Sequence, residues 1–343
     1  MMRILIVGED HSWSSETGYA RQFRRAGCQV EHWNNKSSRL LFGYRNWWRL
    51  GRVSKFFYDA MASAVFLRKA ASFRPDLIFM PKGENIHSRA IKAARDRTQA
   101  SLVTWYPDHP FKADMTSMNI LRNLPRYDVF YIWGKFLEES LRAAGAPRVE
   151  YLPFAFDPDT HPENVTLTAD DIGKYQCDVC FIGAWDKERE TDLEPLCVFD
   201  LAIWGPGWSE NISGSSPLRS KIRGEGIYNE ELVKAYRCST IVFNHLRKHN
   251  GSAHNMRAME IAGIGGGIQL VRRTPELAQQ LFKEQEHLLC FDNPEEMQEK
   301  VRMLIHDKNR QRALSEAARE QVKSRHLLSF RIDEILSRVR NIR

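Results

Sequence analysis

The sequence predicts an α/β protein made of two facing, Rossmann-like, doubly wound parallel-sheet domains. Strand-like apolar runs alternate with helix-like segments in both halves of the chain. One aperiodic stretch, rich in proline and aspartate, separates the halves. The 343 residues also exceed what one hydrophobic core usually serves. The expected plan is a first domain over 1–153, a linker over 154–174 and a second domain over 175–329. A last helix over 330–343, striped by Phe330, Ile332, Ile335, Leu336 and Val339, is expected to pack back on the first domain.

Residues 3–7 form an apolar strand that runs into Gly8-Glu9-Asp10-His11-Ser12 and a polar loop to Gly18. A helix over 19–26 and a strand over 28–33 follow. Only Gly8 and Gly18 are present, so the dinucleotide glycine fingerprint is missing and a nicotinamide cofactor is not expected. Residues 46–74 read as helix and carry Trp47, Trp48, Arg49, Arg52, Lys55, Phe56, Phe57, Phe66, Arg68 and Lys69. That composition fits a sheet-packing helix with a solvated basic face. It also fits a patch for an acidic membrane surface or a lipid-linked acceptor. Strands are read over 75–80 and 102–106. The second ends in Pro107-Asp108-His109-Pro110, at the sheet edge where open α/β sheets bind ligands. A strand over 129–132, a helix over 135–144 ended by Gly145, and a strand over 149–152 complete the half.

The pattern restarts with a strand over 177–182 entering Gly183-Ala184-Trp185, and one over 200–204 entering Gly205-Pro206-Gly207-Trp208. A helix over 228–236 and a strand over 240–244 follow. The stretch 251–271 is the most informative. Ser252 is read as an N-cap, and Met256, Met259 and Ala262 as one buried helix face. Arg257 and Glu260, three residues apart, share another face. The glycines at 263–267 stop the helix before a buried strand at 268–271. A polar loop at a helix start suits an anion, and a glutamate further along could accept hydrogen bonds from sugar hydroxyls. An ordinary surface ion pair is the alternative for Arg257 and Glu260. A strand over 287–291 and helices over 294–305 and 310–325 finish the domain.

Composition is that of ordinary globular proteins, 43% hydrophobic and 27% charged. No apolar run reaches bilayer length, and the first residues read as a strand rather than a signal peptide. The six cysteines are scattered. Cys177 and Cys180 lack a second pair, and three residues apart in a strand they should face opposite sides. All six are read as reduced thiols of a cytoplasmic protein, with a peripheral position at the inner membrane face as a further expectation. The net charge of +7 favours anionic partners without choosing among nucleotide-sugars, nucleic acid and acidic membranes.

The order of short motifs resembles GT-B-fold glycosyltransferases, and within them the CgeB-like group named for a spore maturation protein. The resembling segments are Trp105 to Pro110, Tyr151 to Ala155, Phe181-Ile182-Gly183 with Arg189 downstream, Gly205 to Trp208, Asn255 to Glu260, and His326 to Leu336. The resemblance implies a nucleotide-sugar in the C-terminal domain, an acceptor in the N-terminal domain and reaction in the cleft without an essential metal. It also implies a ribose-binding role for Glu260. Many relatives have a second glutamate eight positions earlier, where this chain has Ser252.

Transfer of a sugar from a nucleotide diphosphate needs stabilisation of the leaving diphosphate. Without a metal this falls to basic side chains and a helix N-terminus. Arg189, Lys187, Arg257 and the amides around His254, Asn255 and Met256 are the candidates, with Gly183 and Gly205 at the neighbouring strand ends. Tyr228, after Gly226-Ile227, is the candidate for the base. For help to the acceptor hydroxyl, Asp108 comes first, then His109, His11 and Asp10. Each of these also has a plain turn role as its alternative. The acceptor is expected to be a glycan, a protein or a lipid-linked group. A nucleotide-sugar epimerase on the same architecture is the second function. A basic nucleic-acid-binding protein ranks last, because no nucleic-acid motif accompanies the charge.

Overall fold

The computed structural model describes residues 1–12, 14–36 and 51–342, and for 51–54 the backbone alone. Trp47, Trp48, Arg49 and the side chain of Arg52, part of the basic aromatic segment, lie outside the described residues. The chain forms two compact units, Met1–Pro153 with Leu328–Arg343, and Phe154–Leu327.

The first unit holds β1 (Arg3–Val7), β2 (Gln29–Trp33), β3 (Leu77–Phe79), β4 (Ser101–Tyr106), β5 (Val129–Ile132) and β6 (Val149–Tyr151) in one sheet, ordered β2-β1-β3-β4-β5-β6. Every pairing is parallel. All six residues of β4 are buried, as expected where helices cover both faces of a parallel sheet. Those helices are α1 (Ser15–Arg25), α2 (Gly51–Phe73), α3 (Ser88–Thr98), α4 (Met118–Asn123) and α5 (Glu138–Ala143). Ser14 caps α1 by accepting from the Thr17 amide at 3.2 Å, which moves the helix start ahead of the expected Tyr19. Tyr19 and Phe23 of α1 pack on Phe79 and Trp105 of the sheet. On α2, Phe66 is buried, while Phe56 and Phe57 are exposed. The last helix, Leu328–Ile342, belongs to this unit: the Arg331 Nε donates to the Pro153 carbonyl at 3.0 Å and Arg338 pairs with Glu150 at 2.9 Å.

The second unit holds β7 (Cys177–Ile182), β8 (Leu201–Trp204), β9 (Ile222–Gly224), β10 (Ser239–Asn244), β11 (Ile268–Arg272) and β12 (Leu289–Phe291), ordered β12-β11-β10-β7-β8-β9. All pairings are again parallel. Its helices are α6 (Ala169–Tyr175), α7 (Lys187–Leu193), α8 (Trp208–Asn211), α9 (Asn229–Cys238), α10 (Met256–Ile264), α11 (Pro294–Ile305) and α12 (Lys308–Arg325). Two buried clusters line the two faces of the sheet. One includes Cys180, Ile182, Val242 and Met259; the other includes Val179, Phe181, Ile241 and Phe243.

Several expectations need correction. Residues 154–174 are part of the second unit. Phe156 pairs with Leu327 in a β-bridge and its amide donates to the His326 carbonyl at 2.8 Å. Thr168 opens α6 through a capping box with Asp171. Ser252 is not the cap of α10. Asn255 is, because its side chain accepts from the Ala258 amide. Met256 is exposed, since it falls on the first helical position, while Ala258 through Ile264 are buried all round. The strict alternation expected for Cys177 and Cys180 fails at the start of β7, where the amides of Asp178 and Val179 both donate to the Asp200 carbonyl, at 3.0 and 3.1 Å. Both thiols therefore enter the same buried cluster and interact. All six cysteines are free thiols.

Candidate functional site

In each sheet the strand order reverses at one place, between β1 and β3 in the first unit and between β7 and β10 in the second. Such switch points leave a crevice at the carboxyl ends of the strands. In the second unit this crevice is bounded by Gly183 after β7, by Asn244 to Arg247 after β10, and by the start of α10.

A polar rivet holds that helix start. Asn255 Nδ2 donates to the Asn244 side chain at 2.8 Å and to the His245 carbonyl at 3.2 Å. Asn244 in turn donates to Gln269 at 2.9 Å. His254 is fully buried; its Nε2 accepts from the Phe154 amide at 3.1 Å, so its Nδ1 carries the proton and donates to Glu276 at 2.7 Å. Both ring nitrogens are committed inside the protein, so the His254 side chain is not placed to hold a ligand. Asn255 is likewise spent on capping. What these two residues supply is a fixed helix N-terminus, whose first amides have no partner within the helix.

Three arginines converge beside it. Arg257 Nη1 reaches Glu260 at 2.8 Å. Arg247 pairs with Asp186 at 2.9 Å, and Asp186 caps α7 by accepting from the Arg189 amide at 2.9 Å. The Arg189 guanidinium is pushed down to about 10 by burial, by Arg247 and by Arg257, with only Asp186 opposing. It remains charged at neutral pH. Its Nε is buried without a hydrogen bond among the described residues. For Asp186, burial alone would raise the pKa, but the Arg189 amide and the guanidiniums of Arg189 and Arg247 hold it below its ordinary value. Burial opposes the charge on Arg257, while Tyr236 and Glu260 outweigh it and hold its pKa above normal. The Arg189 Nε lies 3.4 Å from Asp186 Oδ2, so three guanidiniums share two carboxylates, Asp186 and Glu260, beside the start of α10. Lys187, itself exposed on α7, pairs with the buried Glu190 at 2.6 Å.

Glu260 is buried beside this cluster, with its Oε1 3.8 Å from His161 Nε2. The surface ion pair considered from sequence is therefore a nearly buried pair at a crevice. Gly205 sits where a Cβ would run into the Gly183 carbonyl, so glycine is needed there for close approach of two loops. Tyr228 is exposed just before α9, its hydroxyl folded over Gly226; no hydrogen bond or ion pair among the described residues joins it to the arginines. Arg247 and His161 were missed in the sequence. Arg247 follows the carboxyl end of β10 and could have been suspected from that position. His161 lies 99 positions from its partner Glu260, in a stretch read as linker.

The crevice of the first unit is differently charged. Asp108 pairs with Lys82 at 2.7 Å, and Lys36 bridges Glu9 at 2.6 Å and Glu84 at 3.2 Å. His109 Nδ1 accepts from the Phe111 amide at 3.3 Å, which leaves its proton on Nε2; burial and Lys112 lower its pKa. The neutral ring is thus a donor, which favours Asp108 as the accepting group. His11 lies in the turn closed by the Ser14 amide on its carbonyl at 3.0 Å and contributes to the field on Glu9. Among the described residues no His, Cys, Asp and Glu group is placed to hold a metal ion, and no helix is long and apolar enough to cross a membrane.

Residues 183–337 match the family model described as glycosyl transferase-like. No curated protein matches the chain in sequence. The fold is similar to Anabaena HepE in complex with UDP-glucose, at TM-score 0.65 and 14% identity over 98% of this chain and 100% of that one. It is similar to sucrose-phosphate synthase from Thermosynechococcus elongatus, at TM-score 0.65 and 11% identity over 100% and 99% of the two chains. A putative UDP-N-acetylglucosamine 2-epimerase from Listeria monocytogenes gives TM-score 0.56 and 13% identity over 98% and 95%. The chain has the two-sheet fold of the GT-B enzymes, and the glycosyl transferase-like family model matches its residues 183–337, from the end of β7 into the last helix.

Proposed function

We propose that the chain transfers a sugar from a nucleoside diphosphate sugar, held in the second unit, to an acceptor hydroxyl assisted by Asp108 of the first. The observation that carries this reading is the convergence of Arg189, Arg247 and Arg257 at the capped start of α10, beside the buried carboxylate of Glu260. The helix N-terminus and the guanidiniums stabilise charge building on the leaving diphosphate, which needs no bound metal for that step. Glu260 accepts from the ribose. Tyr228 borders the base. Asp108, released from Lys82 or sharing its proton network, draws the proton from the attacking hydroxyl. A glycan, protein or lipid-linked acceptor all satisfy this chemistry, and the exposed Phe56 and Phe57 of α2 would suit a lipid surface.

The test is product analysis with a panel of nucleoside diphosphate sugars, with and without acceptor sugars. Acceptor-dependent release of the nucleoside diphosphate is expected. Conversion of the donor sugar with no acceptor present would establish an epimerase instead. Failure of every nucleoside diphosphate to raise the melting temperature would overturn donor binding altogether.

A further inference from the structure

His161 comes from the stretch before α6, which belongs to the second unit, and its ring is packed there. It stacks on Phe156 with ring centroids 5.5 Å apart and an interplanar angle of 23°. Phe156 in turn lies on α10 at Gly263, where any Cβ would come within 2.5 Å of the Phe156 ring. A glycine inside a helix is ordinarily destabilising relative to alanine; here the missing side chain is the seat of the ring that carries His161.

The hydrogen bonds fix the tautomer of that histidine. Thr160 Oγ1 donates to the Asp157 carbonyl at 2.8 Å, which uses its only proton. His161 Nδ1 lies 2.9 Å from that same Oγ1 and 3.5 Å from the Asp157 carbonyl. Both neighbours are acceptors toward the ring, so Nδ1 carries the hydrogen. Nε2 of the neutral ring is therefore a lone-pair acceptor. It points at Glu260 Oε1, another acceptor, at 3.8 Å. Glu260 Oε2 is already taken by Arg257 at 2.8 Å. With the ring neutral, two mostly buried acceptors face one another with no donor between them among the described residues; a proton on Nε2 or the hydroxyls of a ligand would each satisfy the pair.

We infer that His161 Nε2 and Glu260 Oε1 together form a clamp for the vicinal 2′- and 3′-hydroxyls of the donor ribose, and that His161 makes the site selective for ribonucleotides. A vicinal diol has two adjacent donors, which matches two acceptors a few ångströms apart; a 2′- or 3′-deoxy sugar leaves one acceptor unsatisfied. Sites built to bond a hydroxyl reject the analogue that lacks it. The inference rests on donor binding in the second unit and adds a specificity residue to it.

The experiment measures dissociation constants of the full chain for UDP, ADP, GDP and CDP, then for the 2′-deoxy and 3′-deoxy forms of the tightest binder. The variants are His161→Phe, which keeps the ring stack and removes the acceptor, and His161→Gln, which restores an acceptor oxygen. Wild type should prefer the ribonucleotide over at least one deoxy form by roughly 3- to 10-fold, the scale of one hydrogen bond. The Phe variant should lose a similar factor for the ribonucleotide and bind that deoxy form as wild type does. The Gln variant should recover part of the preference. If the Phe variant weakens ribo and deoxy ligands by the same factor, His161 is merely structural and the clamp is wrong, while donor binding stands. If none of the four nucleoside diphosphates binds wild type, donor binding fails and the clamp with it.

Discussion

The two units are built alike and charged differently. Each is a six-stranded parallel sheet with one reversal of strand order, and each opens a crevice at the carboxyl ends of its strands. In the first unit the crevice charges are paired within the protein, with Asp108 on Lys82 and Lys36 between Glu9 and Glu84. In the second, Arg189, Arg247 and Arg257 crowd together, and burial with its two neighbours lowers the pKa of the Arg189 guanidinium. Fold alone therefore does not say which half takes a polyanion. We propose the polyanion for the second, where three guanidiniums share Asp186 and Glu260, and a neutral hydroxyl-bearing acceptor for the first.

The largest expected effect falls on the first unit. Asp108→Asn keeps the shape and removes the basicity, so turnover should fall by roughly two to four orders of magnitude. The dissociation constant for the nucleoside diphosphate should not change. Near-normal turnover would move the role to His11 or the substrate, because His109 Nδ1 is already occupied.

The second effect separates the crevices by binding. Arg189→Ala and Arg247→Ala should each weaken the nucleoside diphosphate by about 1.5–3 kcal/mol, the range for hydrogen bonds to charged groups. Lys82→Ala, a cation removed from the balanced crevice, should leave that affinity within error. Isothermal titration of the three variants decides; an equal loss for Lys82→Ala would erase the distinction between the crevices.

Legibility in the sequence divides along similar lines. Strands were readable because parallel strands covered on both faces are continuous apolar runs, as at 129–132 and 177–182. Short elements with weak patterns were not: β9 spans only Ile222–Gly224, and Lys187–Leu193 is a mostly charged helix. Arg257 and Glu260 were legible because helical spacing alone brings them together. The cap shifted from Ser252 to Asn255 because a distant partner, Asn244, orients the asparagine amide. His161 could not be placed, since nothing local links a loop histidine to a glutamate on α10.

A third, structural test concerns that link. Gly263→Ala gains helix propensity but drives a methyl into Phe156, and overpacking of this kind typically costs about 1–3 kcal/mol. Unfolding of the second unit, followed by limited proteolysis on heating, should come earlier while the first unit keeps its resistance. Adding Phe156→Ala should relieve the methyl clash. An unchanged or raised melting temperature in the single variant would show that the ring yields easily.

The smallest effect is in acid. Arg273 pairs with Glu284, Asp292 and Glu296 in the second unit. Hydrogen bonding to Arg273 holds Glu284 below its ordinary pKa; for Glu296 burial opposes, but the Asp292 amide and Arg273 prevail. Depressed carboxyls stabilise the fold above their unfolded value of about 4.3 and lose that contribution as pH falls through the folded value. In the first unit burial raises Glu16 and Glu334, so protonation relieves them as pH falls through their raised values. Between neutrality and about pH 5 the first unit should gain slightly, and below about pH 4 the second should weaken first. Proteolysis of each unit across this range reads the order, and the reverse order would contradict the assignment.

The most direct measurement is calorimetric titration of wild type and Glu260→Gln with the tightest-binding nucleoside diphosphate. The amide keeps an acceptor oxygen and loses the charge, and charge-assisted bonds are about twice as strong as neutral ones. Affinity should weaken by about 1–3 kcal/mol, with the melting temperature of the unliganded chain little changed. Equal affinities in the two proteins would contradict this, returning Glu260 and Arg257 to a pair that holds only the helix.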